Sequence, residues 1–285
     1  ENPYVDAWWE WWPEVRKTLS ILRITGGEPL LQQSTWKLFE NISKYPLPDL
    51  EINTNSNLGM TNRIVKRLSK FVKEFEDENK IKRFKLFTSL DTWGSRAEYI
   101  RTGLDLKVWE ENFHTYLTET NANITFMMTF NILTVTTFKS LLKKILEWRE
   151  QYPDVTNGAG QLHRVRFDTP YLKEPLQYDM NLLPKNQFMH YMNDALHFMK
   201  ENIKENDPTK FSDLEYWKFK RVVDYMQQTN YSTERLLEGR IDFYNWFNEL
   251  DRRRNTNFYS TFPEMKEFMD QCQSLAKAKL KNKTS

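Results

Sequence analysis

Five segments of strand character alternate with single amphipathic helices in the N-terminal part of the chain, and this order restricts the fold more than any other feature. The strand segments begin near Leu22, Leu50, Phe84, Asn123 and His163. Because one helix between consecutive strands forms a right-handed βαβ unit, the order predicts a parallel sheet. The predicted fold class is therefore α/β.

The helices between these strands are predicted from apolar residues at helical spacing. Thr61 and Asp105 precede two of the helices and can cap them. The fourth strand is predicted to be long, from Asn123 to Leu133. The apolar positions of the four helices are Leu38, Phe39, Ile42 and Tyr45; Ile64, Val65, Leu68, Phe71, Val72 and Phe75; Leu106, Trp109, Phe113, Tyr116 and Leu117; and Phe138, Leu141, Leu142, Ile145 and Trp148.

The predicted strands alternate between apolar and polar residues, whereas parallel strands covered on both faces are usually apolar throughout. The polar residues of this alternating pattern include Arg23, Glu51, Asn53, Lys85 and Arg166. A sheet curved into a barrel explains this pattern, because helices would cover the apolar face and leave a polar interior for a ligand. We predict a partial TIM-like barrel at 1–180 and a helical C-terminal extension at 181–285.

Composition limits the classes of protein that the chain can belong to. Its 285 residues are 39% hydrophobic, which suits a globular core with an extension, and its net charge of +2 gives no reason to expect a nucleic-acid partner. No apolar run approaches the roughly 20 residues that span a bilayer, and no signal peptide opens the chain, so we expect a cytoplasmic protein without a membrane partner. Cys272 is the single cysteine, which excludes a disulfide framework.

The stretch LRITGGEPLL, from Leu22 to Leu31, places two of the eight glycines side by side. Pro29 suits the first turn of a helix, so the stretch predicts a strand-to-helix turn. Glycines there let backbone groups approach a ligand, and the Glu28 carboxylate could accept from the same ligand. The turn is therefore predicted to be a ligand site, with a plain helix start as the alternative.

Three motifs then follow in order: TGGEPLL, the strand end TNSN, and SLDTWGSRAEYIRTG from Ser89 to Gly103. With them the chain resembles the radical S-adenosylmethionine (SAM) enzymes, in particular the SPASM or twitch branch, from about Trp12 to Pro170. The resemblance implies an enzyme that binds S-adenosylmethionine next to a 4Fe-4S cluster and forms a 5′-deoxyadenosyl radical. That radical would abstract hydrogen from a peptide or small-molecule substrate, with an electron donor such as a flavodoxin or ferredoxin.

The resemblance also implies which residues bind the cofactor. Gly26, Gly27 and Glu28, followed by Pro29, would hold the ammonium of the methionyl group, which is a charge-assisted hydrogen bond. Asn55, at the end of the next strand, matches a polar position that faces the ligand. Taken without the resemblance, Asn55 with its polar neighbours reads as an Asx turn.

Further along the chain, Ser89 and Arg101 match the residues that hold the methionyl carboxylate or the ribose, with Asp91 as a polar neighbour. Asn131 lies where the later strands would contact ribose and adenine. Each position also has a structural interpretation, because Ser89 and Asp91 could cap the next segment and Arg101 could form a surface ion pair.

The chain departs from the family pattern because it has no CxxxCxxC motif, and Cys272 alone cannot hold a cluster. The sequence opens at Glu1 without a methionine. We therefore expect the first strand and the cluster ligands upstream of Glu1, which makes this chain a partial (βα)6 barrel that carries no metal ligands and is inactive alone. The same lack of cysteines gives no indication of an auxiliary cluster.

Two other functions remain open on the sequence. The first is a non-catalytic binding or scaffold protein of the same fold that lacks the cluster. The second is an unrelated barrel hydrolase or lyase that uses Glu28, Glu51 and Asp91 as acids and bases.

Overall fold

The structure, a computed structural model, describes residues 2–153 and 163–284. The strands are β1 (Ile21–Ile24), β2 (Leu47–Asn55), β3 (Ile81–Thr88), β4 (Asn123–Met127) and β5 (Val165–Asp168). The α-helices are α1 (Pro3–Val15), α2 (Gln33–Lys44), α3 (Asn62–Asp77), α4 (Ser95–Ile100), α5 (Leu106–Glu119), α6 (Phe138–Gln151), α7 (Lys185–Glu201), α8 (Asp213–Gln228), α9 (Thr233–Arg254), α10 (Phe258–Thr261) and α11 (Lys266–Thr284). Short 3₁₀ helices lie at Pro29–Leu31, Leu176–Tyr178, Met180–Leu182 and Pro263–Met265.

The five strands form one parallel sheet in the order β1-β2-β3-β4-β5. Leu22 pairs with Ile52, and Ile52 pairs with Phe84, so apolar residues of the same parity lie side by side across the sheet. A parallel sheet in chain order, with helices in the connections, is the arrangement of a TIM-like barrel. The predicted α/β class and partial barrel, with a helical C-terminal region, are confirmed.

The chain divides into two compact units, which we describe separately. The sheet unit comprises Glu1–Ser89, Asp105–Phe126 and Trp148–Arg166. The helical unit comprises Leu90–Leu104, Met127–Glu147 and Phe167–Ser285. The domain boundary at 180/181 stays a prediction.

The apolar face of the sheet unit is covered by helices, and aromatic rings make much of this core. The ring centroid of Phe39 on α2 lies 6.0 Å from that of Phe84 on β3, and Trp109 on α5 lies 5.8 Å from Phe126 on β4. All four side chains are buried. On β2 to β5, most residues that point to the opposite face of the sheet are half-buried. The alternation of apolar and polar residues predicted from the sequence is therefore present in the fold.

The helical unit has its own aromatic core between α9, α10 and α11. The Phe243 ring on α9 packs on Phe258 of α10 and Phe268 of α11, with centroids 5.7 and 5.1 Å away. The helix α8 begins with a capping box formed by Ser212 and Glu215, which satisfies two backbone amides at its start. No helix in the described part of the chain is long and apolar enough to cross a membrane.

Several local predictions were wrong. The fourth strand ends at Met127, not at Leu133, because the Thr129 amide donates to Asp91 instead of to a strand, and the Asn131 side chain then closes a turn by accepting from the Leu133 amide. Thr61 occupies the N-cap position of α3 but makes no capping hydrogen bond with its side chain. Tyr45 lies just after α2 and is 47% exposed, so it is not part of the apolar stripe. The Asp105 cap is confirmed by its bond from the Val108 amide.

Candidate functional site

The turn after β1 is built on Gly26 and Glu28. Gly26 has φ of +123°, a conformation that residues with a side chain rarely adopt. Glu28 caps the following 3₁₀ helix, accepting from the Leu30 amide at 3.2 Å through Oε1. Its second oxygen, Oε2, accepts from the Asn57 amide at 2.8 Å and so ties this turn to the segment after β2. The carboxylate therefore has a structural role in the turn.

The space above this turn is open. A Cβ atom built on Gly26 or on Gly27 meets no other atom within 4 Å. Gly27 has no left-handed φ, so neither backbone conformation nor packing within the described residues requires a glycine there. An approaching ligand is a remaining physical reason for the absence of a side chain.

Burial raises the pKa of Glu28 above its ordinary value, and hydrogen bonds from the Asn57 and Leu30 amides and from Ser56 act in the opposite direction. A carboxylate has about four acceptor sites on its two oxygens. Those three bonds leave room for a further donor. A partly desolvated carboxylate with spare acceptor capacity is suited to bind a cation such as an ammonium group.

Asn55 is the last residue of β2, and the Glu28 carboxylate binds the amide of Asn57, two residues after it. The side chain of Asn55 is the next part of the site. Its Oδ1 is buried and has no hydrogen-bond partner in the described residues. Buried carbonyl oxygens are normally paired, so an unpaired one indicates a place for a ligand or a water molecule. Pro29 is buried at the start of the 3₁₀ helix, where its missing N–H costs nothing.

Ser89, the last residue of the sheet unit before the chain enters the helical unit, is half-buried. Its hydroxyl makes no hydrogen bond within the described residues. The side chain is thus available, but nothing in the structure directs it to a ligand.

The predicted residues of the helical unit already have hydrogen-bond partners within that unit. Asp91 is 3% exposed; its Oδ1 accepts from Arg101 Nη2 at 2.9 Å and from the Thr129 amide at 2.6 Å. Arg101 Nε lies 2.7 Å from the other carboxylate oxygen. Asn131 donates from Nδ2 to the Thr129 carbonyl at 2.8 Å and accepts from the Leu133 amide at 2.9 Å. This group fixes the backbone after β4.

The three acids of the hydrolase alternative are each held by other groups. Glu28 binds backbone amides and Asp91 binds Arg101, as described above. Although burial opposes it, hydrogen bonds from Lys85 and Asn53 lower the pKa of Glu51. A carboxylate with a lowered pKa is a weaker base, which disfavours Glu51 as the general base of this set. Among the described residues no group of three or more His, Cys, Asp or Glu is placed to hold a metal ion.

Among solved structures, the chain is similar over part of its length to two structures of anSMEcpe. Native anSMEcpe with bound AdoMet, that is S-adenosylmethionine, aligns over 66% of this chain and 49% of its own, with 16% identity and a TM-score of 0.43. Native anSMEcpe with bound AdoMet and Kp18Cys peptide aligns over 64% and 46%, with 14% identity and a TM-score of 0.41. The chain thus spans about half the length of these structures. No protein-family model and no curated protein matches it.

Proposed function

We propose that this chain is the AdoMet-binding part of a radical SAM enzyme that acts on a peptide or small molecule. The observation that carries the proposal is the turn after β1, where open space over Gly27 adjoins a partly desolvated Glu28 carboxylate. The order of the TGGEPLL, TNSN and SLDTWGSRAEYIRTG motifs supports it from the sequence.

In this proposal the Glu28 carboxylate accepts from the methionyl ammonium while keeping its bonds to the Leu30 and Asn57 amides. Gly27 leaves space for the methionyl group, and Asn55 Oδ1 accepts from a hydroxyl or amine of the ligand. Each of these roles uses a group that the fold leaves open or unpaired. Ser89 and Arg101 remain proposed contacts to the carboxylate or ribose, with Asp91 positioning Arg101. Asn131 also remains a proposed contact to the ribose. Because its side chain already stabilises a turn, that contact would be made from within the turn.

A 4Fe-4S cluster, when bound, would supply the electron for forming the 5′-deoxyadenosyl radical. The residues of this chain do not fit such a cluster, because Cys272 is its single cysteine and is buried in α11. Burial raises the pKa of this thiol to about 12, whereas a metal ligand must be a thiolate. The proposal for this chain is therefore AdoMet binding, and radical formation is proposed only for an assembly that supplies the cysteines.

The test is calorimetric titration of AdoMet into the chain and into Glu28→Gln and Gly27→Val. Loss of the carboxylate charge should cost about 1.5 to 3 kcal/mol, a roughly 10- to 100-fold weaker affinity. Gly27→Val should weaken binding by as much through steric exclusion.

Glu76→Gln is the matched control, because Glu76 is another carboxylate with a raised pKa that accepts from a distant backbone amide, that of Asn121 at 3.1 Å. It should leave the affinity for AdoMet unchanged. Equal affinity in all three variants would show that the turn only starts a helix.

The non-catalytic alternative shares this fold, and titration of AdoMet into the chain tests the form of it that has lost the cofactor as well as the cluster. Such a scaffold protein would bind no AdoMet, and the Glu28 and Gly27 variants would then have nothing to weaken.

A further inference from the structure

A second group of polar side chains lies on the sheet unit, apart from the turn after β1. We call it the polar sheet face: the residues of β1, β2 and β3 on the parity opposite the helices. Arg23, Asn53 and Lys85 are register partners on the three adjacent strands, so their side chains leave the sheet side by side. From Glu51 onward, the members with polar or aromatic side chains are Arg23, Glu51, Asn53, Arg83, Lys85 and Phe87, together with Asn55, which the proposed function assigns to AdoMet.

Arg23 is a cation without a carboxylate partner in the described residues. Its guanidinium carbon lies 5.3 Å from the centroid of the Phe87 ring. Phe87 is on β3 and Arg23 is on β1, so the arginine side chain extends across β2 to reach the ring. Stacking on an aromatic ring orients a guanidinium and leaves its N–H groups to bind a planar or tetrahedral oxyanion.

Asn53 lies on β2 beneath this path and is only 9% exposed. Its Nδ2 donates to Glu51 Oε1 at 3.1 Å, which fixes the orientation of the amide, because the reverse orientation would set two acceptors against each other. The Oδ1 atom is then buried without a hydrogen-bond partner in the described residues. A buried, unpaired carbonyl oxygen is a place for a donor from a bound molecule or from water.

Glu51 does not neutralise Arg23, because it is already paired. Its Oε1 lies 2.7 Å from Lys85 Nζ, and both side chains are largely buried. Arg83, the register partner of Glu51, adds a further positive charge on the same face. From Glu51 onward the polar sheet face therefore carries three cations, Arg23, Arg83 and Lys85, and one carboxylate. The buried carbonyl oxygens of Asn53 and Asn55 have no hydrogen-bond partner in the described residues.

We propose that the polar sheet face binds an oxyanion that carries an O–H or N–H donor next to its negative charge. Arg23 binds the oxyanion, and Asn53 Oδ1 accepts from the donor. The binding itself stands on the sheet unit alone, whereas its assignment to the substrate rests on the proposed function. The substrate class is then a phosphate ester or a carboxylate with an adjacent hydroxyl or amine.

Matched probes test the two parts of this proposal by calorimetry with the full chain at low ionic strength. Inorganic phosphate near neutral pH carries an O–H donor, whereas sulfate has the same tetrahedral shape without one. Lactate and acetate form the corresponding pair for carboxylates. We expect phosphate to bind more tightly than sulfate if the source of the oxyanion is a phosphate, and lactate more tightly than acetate if it is a carboxylate.

Two variants assign the residues. Arg23→Gln should raise the dissociation constant of the preferred probe about tenfold or more, whereas Arg63→Gln, an exposed arginine on α3, should leave it unchanged. Asn53→Leu should abolish the preference for the probe with a donor. Should Asn53→Leu fail to fold, the probe preference of the unmodified chain and the Arg23 variant decide the result.

The proposal is overturned if none of the four probes binds, if sulfate binds as tightly as phosphate and acetate as tightly as lactate, or if Arg23→Gln binds the probe normally. AdoMet also contains a carboxylate with an adjacent ammonium, so AdoMet affinity is measured for Arg23→Gln as well. An unchanged AdoMet affinity supports a separate substrate site. A tenfold loss would assign Arg23 to the cofactor and overturn the substrate assignment, whereas failure of the proposed function alone would appear as AdoMet binding that is absent in every variant.

Discussion

Two groups of residues predicted to bind the same cofactor have opposite chemical states in the structure. In the turn after β1, Gly27 adjoins open space and the Glu28 carboxylate keeps acceptor capacity. In the helical unit, Asp91 is held by Arg101 and by the Thr129 amide, and both ends of the Asn131 amide are bonded. A polar residue just after a strand can therefore serve a ligand or the backbone, and only its hydrogen-bond partners distinguish the two.

The largest effect is expected from breaking the bonded group. Asp91→Ala would leave the Arg101 guanidinium and the Thr129 amide without their acceptor and should destabilise the protein by about 3 kcal/mol. Urea denaturation measures this loss. The control is Asp194→Ala, which removes an exposed ion pair with Lys139 in the same unit and should change little. Equal midpoints for the two variants would contradict the structural role of Asp91.

A smaller effect is expected at the first glycine of the open turn. Gly26→Ala forces a side chain into φ of +123° and should cost about 1 to 2 kcal/mol in the free energy of unfolding. Gly27→Ala, next to it, meets no atom within 4 Å and should leave the free energy of unfolding unchanged. Thermal melts of the two variants compare their stabilities directly. Equal losses of stability would mean that the positive φ of Gly26 is not what makes its substitution destabilising.

The two carboxylates of the sheet unit should give opposite pH dependences. Burial raises the pKa of Glu28 above its ordinary 4.5, so the folded state holds this proton more tightly and stability falls as pH rises above 4.5. Hydrogen bonds from Lys85 and Asn53 lower the pKa of Glu51 despite its burial, so its contribution is present above 4.5 and is lost as pH falls below it.

Replacing each carboxylate by glutamine should therefore change the slope of stability against pH in opposite directions. Glu28→Gln removes a decline above pH 4.5, and Glu51→Gln removes a loss below it. Urea midpoints measured from acid to neutral pH give both slopes. Parallel slopes for the two variants would show that the surroundings of these acids are alike.

The smallest effect on stability is expected at Ser89. Its hydroxyl makes no hydrogen bond within the described residues, so Ser89→Ala should change the free energy of unfolding by less than about 0.5 kcal/mol. If the serine contacts AdoMet as proposed, the same variant should still weaken AdoMet binding. Thermal melts of Ser89→Ala measure its stability. A clear loss of stability would show that the Ser89 side chain stabilises the backbone, as Asp91 and Asn131 do.

The alternation of apolar and polar residues along each strand made the sheet predictable from the sequence. Since side chains of successive residues point to opposite faces, the parity of Ile52 and Phe84 already indicated the face that helices cover. The end of β4 was not predictable in the same way. The strand-like pattern continues to Leu133, but the Thr129 amide bonds to the distant Asp91 and Asn131 closes a turn, so the ladder stops at Met127.

The open turn was predictable in position but not in bonding. The sequence places Glu28 after two glycines, which indicated a carboxylate at a turn. Its bond to the Asn57 amide joins residues that are distant in sequence, and only the parallel pairing of β1 with β2 brings them together. The missing partner of Asn53 Oδ1 depends likewise on Glu51 and Lys85 taking the other available bonds.

The burial of Cys272 gives the helical unit a built-in reporter of its own opening. The thiol is fully buried in α11, and its pKa of about 12 leaves almost no thiolate at neutral pH. A thiol reagent can react with it only after the surrounding helices separate. The labelling rate thus measures the opening of one unit, while the other, which has no cysteine, stays silent.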